Sequence, residues 1–284
     1  MSKYIDLHIH SIYSDGILSV KQIIEEAKKN DAKCIAVTDH DIVDGSIELM
    51  QLLETEEEIC GIPGVELTTV YYWKNRKVKI HLLGYNIDIC NKAFKDFLFN
   101  KREARRRQNI SYVKKMLKEC AINDFSILEA IDFSKHAYLK KVILNYFTLQ
   151  HIEVSKIAQY LDEQPIIYQD YDFDICEAIE MIHGVGGSAV LAHPYQIKQS
   201  KDDLDEVVAN LVEMGLNGIE TVYGRASQDD NTYAEYLANK YKLLKTCGSD
   251  FHTYAYENYI AFGKNRNMCI DHCSYVDWLK KSDR

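Results

Sequence analysis

The chain of 284 residues contains no apolar run approaching the roughly 18–20 residues that a membrane-spanning helix needs, so no membrane partner is expected. Its first residues, Met1-Ser2-Lys3-Tyr4, lead into an apolar strand with no signal-peptide pattern, which makes a cytoplasmic location the expectation. The eight cysteines form none of the CxxC pairs of a zinc ribbon; they are scattered singly, mostly in apolar runs, and are expected to be reduced, buried thiols. There is no excess of basic charge. The net charge of −9 argues against a protein that coats duplex nucleic acid, while leaving room for a small phosphorylated ligand. Internal repeats and low-complexity stretches are absent. Nothing in the sequence points to a protein partner.

What the chain does have is alternation of short apolar strands with amphipathic helices, the pattern of βα units around a parallel sheet or barrel. The first strand is expected at Tyr4–His10, and Ser19 opens a helix with Gln22 in the capping-box position and Val20, Ile23, Ile24 and Ala27 facing inward. A second strand is expected at Cys34–Thr38, a second helix at 46–56, and a third strand at Ile59–Leu67. Lys74-Asn75-Arg76-Lys77 reads as a hairpin turn into Val78–Gly84. Over 91–171 the strand rhythm gives way to charged helical segments, which predicts a helical insertion between two parts of one domain, 1–90 and 172–284. The βα rhythm then returns, with strands at Ser188–Ala192, Gly218–Tyr223 and Leu243–Cys247.

In Asp6-Leu7-His8-Ile9-His10 the period of two along a strand puts both histidines on one face, with Leu7 and Ile9 on the other. A single strand histidine is ordinarily a core residue; a pair on one face near the end of a strand is not ordinary. The same arrangement, an apolar strand running into a potential ligand, recurs at Asp39-His40, Glu66, His81, Ala192-His193-Pro194 and Asp250-Phe251-His252. In parallel α/β folds the carboxyl ends of the strands converge, so ligands distant in sequence become neighbours. Six of the ten histidines lie in such positions, which points to a metal centre. Mixed imidazole and carboxylate donors suit zinc, manganese or iron better than calcium. Asp39, beside a ligand, is read either as orienting an imidazole or as a helix cap.

These segments together, with Ser14-Asp15-Gly16, Thr38-Asp39-His40, Gly64-Val65-Glu66, His81-Leu82-Leu83-Gly84-Tyr85 and Gly248-Ser249-Asp250-Phe251-His252, resemble the polymerase-and-histidinol-phosphatase (PHP) family of metal-dependent phosphoesterases. The resemblance covers most of the chain outside the insertion. It implies a distorted (β/α)7 barrel holding two to three divalent transition-metal ions, Mn, Fe or Zn. It also implies a ligand set: His8, His10, Glu66 and Asp250 for one ion, Asp15, His40 and His252 for a second, and Glu66, His81 and His193 for a third, with Glu66 bridging. The expected reaction is attack on phosphorus by a water that the ions activate, with Glu66, Asp250 and His252 as the catalytic residues, the last two also helping to move protons.

Within the family, the Ser14-Asp15-Gly16 segment, the length and the position of the insertion most resemble the branch that removes the 3′-phosphate of nucleoside 3′,5′-bisphosphates or trims short RNA from its 5′ end. The resemblance implies that the insertion caps the active site and offers Arg102, Arg105, Arg106, Lys135 and His136 to a second phosphate, to which guanidinium can make paired hydrogen bonds. Two departures bear on the substrate. Ser134-Lys135-His136 stands where this branch usually has Arg-Pro-His, and Tyr223-Gly224-Arg225-Ala226-Ser227 lacks a usual histidine, leaving Arg225 as a substitute phosphate contact. The competing readings are a phosphatase for a small metabolite such as histidinol phosphate, and a non-catalytic, metal-stabilised nucleotide-binding module.

Overall fold

The computed structural model describes residues 4–135, 139–164, 173–197 and 200–253. The chain divides into two compact units, Met1–Asp96 with Phe173–Arg284, and Phe97–Asp172.

The first unit is α/β. Strands β1 (Tyr4–Ile9), β2 (Ala32–Val37) and β3 (Cys60–Gly61) form a parallel three-stranded sheet. A second sheet of six strands has β4 (Gly64–Trp73), β5 (Arg76–Tyr85), β6 (Phe173–Asp174), β7 (Ser188–Leu191), β8 (Gly218–Tyr223) and β9 (Leu244–Gly248) in the order β6-β4-β5-β7-β8-β9. Helices α1 (Val20–Lys29) and α2 (Asp44–Leu53) flank the first sheet. Helix α1 begins as its sequence demands: the Ser19 side chain accepts from the Gln22 backbone and Gln22 reaches back, while Val20, Ile23, Ile24 and Ala27 are buried.

Three expectations are corrected by the backbone. The apolar run Ile59–Leu67 is two strands, because Pro63 offers no N–H to a ladder and the chain changes sheets there: β3 pairs with β2, and β4 begins at Gly64. The turn after β4 is only Lys74-Asn75, both left-handed at φ 46 and 59, the form of a two-residue hairpin turn. Leu7 and Ile9 do not share a face. The pairing of β1 with β2 slips between Asp6 and Ile9, so Leu7 packs with Ile5, Tyr85 and Val190, while Ile9 packs with Val20 and Ile23 of α1.

The expected (β/α)7 barrel is not what the described strands form. Strand β5 runs antiparallel to both β4 and β7, since a hairpin stands where a crossover helix would keep the strands parallel. Besides packing across a shared core, the two sheets are joined by isolated bridges, Ile9 to Phe251 and His40 to Glu66, and no closed ladder runs around the described residues. Both bridges lie beside the metal-type side chains.

Helices α7 (Ile175–Gly184), α8 (Lys201–Glu213) and α9 (Gln228–Tyr241) complete this unit, α9 opening on a capping box of Ser227 and Asp230. The second unit contains most of α3 (Lys92–Glu119) together with α4 (Ile127–Ala130), α5 (Leu139–Leu149) and α6 (Ser155–Glu163). It has its own core of Val113, Met116, Leu117, Ile143, Phe147 and Ile157. None of the described helices is long and apolar enough to cross a membrane. Of the six described cysteines only Cys34 and Cys247 are buried; Cys60 and Cys90 are exposed, because apolar neighbours in sequence do not place a strand end or a turn inside. Cys269 and Cys273 lie outside the described residues.

Candidate metal centre

All nine ligand-type side chains singled out from the sequence come together at the ends of β1, β2, β4, β7 and β9 and on β5. Glu66 is at the centre, with no exposed surface. Its Oε2 lies 3.2 Å from His8 Nε2, 3.1 Å from His10 Nε2 and 3.2 Å from His40 Nδ1. Its Oε1 lies 3.0 Å from His81 Nδ1 and 3.1 Å from His193 Nε2. Asp250 adds a second carboxylate, with Oδ1 at 3.1 Å from His10 Nε2, 3.5 Å from His8 Nε2 and 3.3 Å from His252 Nδ1. The third, Asp15, lies 3.3 Å from His252 Nε2 and 3.7 Å from His10 Nδ1.

Within this cluster three sets of atoms lie close enough to share an ion: His8, His10, Glu66 and Asp250; His10, Asp15, His40 and His252; and His40, Glu66 and His81. The donor atoms fit a divalent cation on independent grounds. His8 Nε2, His10 Nε2, His40 Nδ1, Glu66 Oε2 and Asp15 Oδ1 are all buried and make no hydrogen bond, an arrangement that is unfavourable in a protein interior unless a cation satisfies the lone pairs. Imidazole nitrogen mixed with carboxylate oxygen is the donor set of zinc, iron and manganese.

The electrostatics of the cluster follow from its geometry. Burial opposes charge on Glu66, but the surrounding histidines, His40 and His8 foremost, hold its carboxyl well below the usual range; Asp250 is held down likewise by His252 and His8. Burial also opposes charge on His10, yet its contacts with Asp250 and Glu66 prevail and push the imidazole up to about 10. His40 goes the other way, down to about 3, because burial outweighs Glu66 and Asp15 there. Two ligand-type residues, His193 at φ 27 and Asp250 at φ 52, sit in the left-handed region, where a non-glycine residue stores strain.

A second layer holds these groups. Asp39 is neither a helix cap nor in direct contact with an imidazole. It accepts from Ser11 N (2.8 Å), Ser11 Oγ (2.6 Å) and Ser14 Oγ (2.5 Å), fixing the loop that carries Asp15, and Ser14 Oγ lies 3.5 Å from His10 Nδ1. Asp6 accepts from Ser249 N at 2.9 Å, tying β1 to the Asp250 loop; burial pushes its carboxyl up to about 7. Tyr223 OH donates to Asp250 Oδ2 at 2.5 Å, and Arg225 donates to that same oxygen and, through Nε, to Tyr223 OH at 2.7 Å. Arg225 is thus engaged with a ligand-type carboxylate. Glu220 and Tyr223 carried no assignment from sequence, although an acid inside the apolar run Gly218–Tyr223 is the same signal that exposed Glu66.

The basic residues of the insertion belong to the second unit. Arg105 is only 1% exposed, its Nη1 3.5 Å from the Ser134 carbonyl. Arg102 donates to Ser134 Oγ at 3.2 Å, and Arg106, half exposed, lies 3.7 Å from Glu103. Arg102, Arg106, Asp132 and Ser134 line an open groove of about 750 Å³ within this unit. Lys135, next in sequence to Ser134, is half-buried. His136 lies outside the described residues.

With this geometry in place, comparison with known proteins gives a consistent picture. Residues 6–161 match the PHP domain. The 5′-3′ exoribonuclease Rnm of Escherichia coli is 30% identical over 262 residues, covering 87% of this chain and 84% of that protein. The 3′,5′-nucleoside bisphosphate phosphatase of Chromobacterium violaceum is 27% identical, covering 87% of each. Among solved structures, an amidohydrolase from Chromobacterium violaceum with bound sulfate superposes with a TM-score of 0.75 at 21% identity, covering 98% of this chain and 96% of that one, a likeness of fold. The chain belongs to the PHP family, and it is a metal-dependent phosphoesterase.

Proposed function

We propose that the protein hydrolyses a phosphate ester of a nucleotide or short oligonucleotide, a nucleoside 3′,5′-bisphosphate or the 5′ end of a short RNA, in the cytoplasm. The observation that carries the metal chemistry is the convergence of five buried, hydrogen-bond-free donor atoms in one cluster, Glu66 Oε2 among them. Nine ligands exceed what one ion of four to six coordination can use, which supports two to three ions of Mn, Fe or Zn. His8, His10, Glu66 and Asp250 would hold one, Asp15, His40 and His252 a second, and Glu66, His81 and His193 a third. When bound, the ions supply positive charge to the phosphoryl oxygens and lower the pKa of a nucleophilic water.

The protein's own groups set the stage. Glu66 offers one oxygen to His8, His10 and His40 and the other to His81 and His193, so a single carboxylate sets the spacing of these five imidazoles. Asp250 presents Oδ1 to the cluster while Tyr223 and Arg225 hold Oδ2. His252, 18% exposed in its side chain, is the imidazole of the set most open to solvent and the best placed to pass a proton to a leaving oxygen. The nucleotide substrate is supported by the two curated relatives named above, and Arg102, Arg106 and Lys135 of the insertion are the proposed contacts for a phosphate that is not cleaved.

The test is to load the purified protein with manganese and assay adenosine 3′,5′-bisphosphate, a short 5′-phosphorylated RNA and histidinol phosphate. Turnover of either of the first two with little of the third supports the proposal. Preference for histidinol phosphate, or turnover of none, overturns it.

A further inference from the structure

Behind the cluster, on the side away from Glu66, lies a buried carboxylate to which the reaction assigns no step. Glu220, on β8, is 1% exposed. Its Oε1 lies 3.2 Å from His8 Nδ1, and its Oε2 accepts the backbone N–H of His193 at 2.8 Å. His8 belongs to the group on Glu66 Oε2, and His193 to the group on Oε1. Resting on the metal-centre reading above, we infer that Glu220 is a positioning residue that clamps His8 and His193 from behind, so that the two flanks of the metal centre are held by one carboxylate in front and one at the back.

The chemistry requires a carboxylate here. The His193 backbone N–H can only donate, and its chain is held at φ 27, an unfavourable conformation for a non-glycine residue, so the bond to Glu220 helps to hold a strained turn. His8 can offer Nε2 to a cation only if its proton resides on Nδ1, facing Glu220. Both partners are therefore donors, and only a group with two acceptor oxygens satisfies them together. Glutamine cannot. If its amide oxygen takes the His193 N–H, its NH₂ faces His8 Nδ1, and His8 must move its proton to Nε2 to accept; if the oxygen takes His8, the NH₂ meets the His193 N–H. Space at this point is reserved for the arrangement: a Cβ at Gly248 would come within 2.2 Å of His8 Cβ and 2.8 Å of Glu220 Oε1.

The decisive experiment measures manganese affinity and stoichiometry by chelator competition for the wild type, Glu220→Gln, His8→Ala and the double variant, with the His8 ring tautomer read from imidazole ¹⁵N shifts. Glu220→Gln should lose about ten- to a hundredfold in affinity for at least one ion, the range for a partner that orients a ligand. In the His8→Ala background the same change should cost distinctly less, since part of its effect runs through His8. Circular dichroism of the chelated proteins separates loss of metal from loss of fold; should Glu220→Gln not fold, Glu220→Asp, which keeps both acceptors, should fold and bind with intermediate affinity. Equal affinity in wild type and Glu220→Gln, an undiminished effect in the His8→Ala background, or Glu220→Asp no better than Glu220→Gln overturns the inference. A wild type that binds no metal would instead overturn the metal-centre reading on which it rests.

Discussion

Arg225 donates to Oδ2 of Asp250, on the carboxylate oxygen opposite the one that faces His10 at 3.1 Å. A residue that the family resemblance offers as a phosphate contact is thereby engaged with a ligand-type carboxylate, and the two roles have different kinetic signatures.

If Arg225 acts through Asp250, its loss should be felt by every substrate. Arg225→Ala is expected to lower kcat/KM for adenosine 3′,5′-bisphosphate and for p-nitrophenyl phosphate alike, by roughly ten- to a hundredfold, the equivalent of a charge-assisted hydrogen bond of about 1.5–3 kcal/mol. A loss confined to the bisphosphate would make Arg225 a substrate contact instead.

Arg102 and Arg106 should behave in the other way. Each, replaced by alanine, is expected to raise KM for the bisphosphate by about tenfold with kcat little changed, the mark of binding shared by ground and transition states, and to leave p-nitrophenyl phosphate unaffected. Parallel losses on both substrates, or none, would reduce the basic face of α3 to a solvated surface.

Glu66→Gln should be the most damaging single change. The amide keeps the shape but removes the negative charge against which five imidazoles are set, so bound metal should fall below the wild-type stoichiometry and activity by more than the ten- to hundredfold typical of outer-layer residues, at roughly a thousandfold. Elemental analysis together with kcat decides; full metal content with full activity would remove Glu66 from the centre.

Chelation should destabilise the fold. At free metal a hundredfold above Kd, binding to the native state alone contributes about 2.7 kcal/mol, which at roughly 2–4 °C per kcal/mol gives a fall in Tm of about 5–10 °C on stripping. An unchanged Tm on adding a strong chelator would contradict a centre built into the sheet ends.

The chelated protein should also lose stability as pH rises above the ordinary histidine pKa. His10, raised to about 10, contributes stability that is complete below its unfolded value of about 6.5 and is lost as pH rises toward 10. For His40, lowered to about 3, the sign is reversed: it is buried neutral, so stability present above 6.5 is lost as pH falls toward 3. Asp6, raised to about 7, opposes His40 below that pH, so thermal melts should change little from pH 5 to 6 and fall from pH 7 to 9, and a rise from pH 7 to 9 would contradict the His10 assignment.

The convergence of most of these side chains was legible in the sequence because an apolar strand running into His, Asp or Glu is a local signal; His81 joins them from within antiparallel β5. The walls were less so. Pro63 splits a continuous apolar run between two sheets, and β5 reverses direction, neither of which hydrophobic patterning can distinguish from a uniform βα repeat. Glu220 escaped for a related reason: an isolated acid in an apolar strand has no motif, and its meaning appears only when His8, distant by 212 positions, is brought to 3.2 Å. Asp39 was recognised as important but its partners, Ser11 and Ser14, could not be chosen from spacing alone.

The bridge from His40 to Glu66 joins the two sheets at the very residues that would bind metal, and Ile9 meets Phe251 between His10 and His252. Wall and candidate metal centre therefore share residues along one seam and are sequence neighbours along the other. A substitution that retuned the chemistry there would also loosen the architecture, which leaves the clasp between the sheets as the part of this unit least free to change.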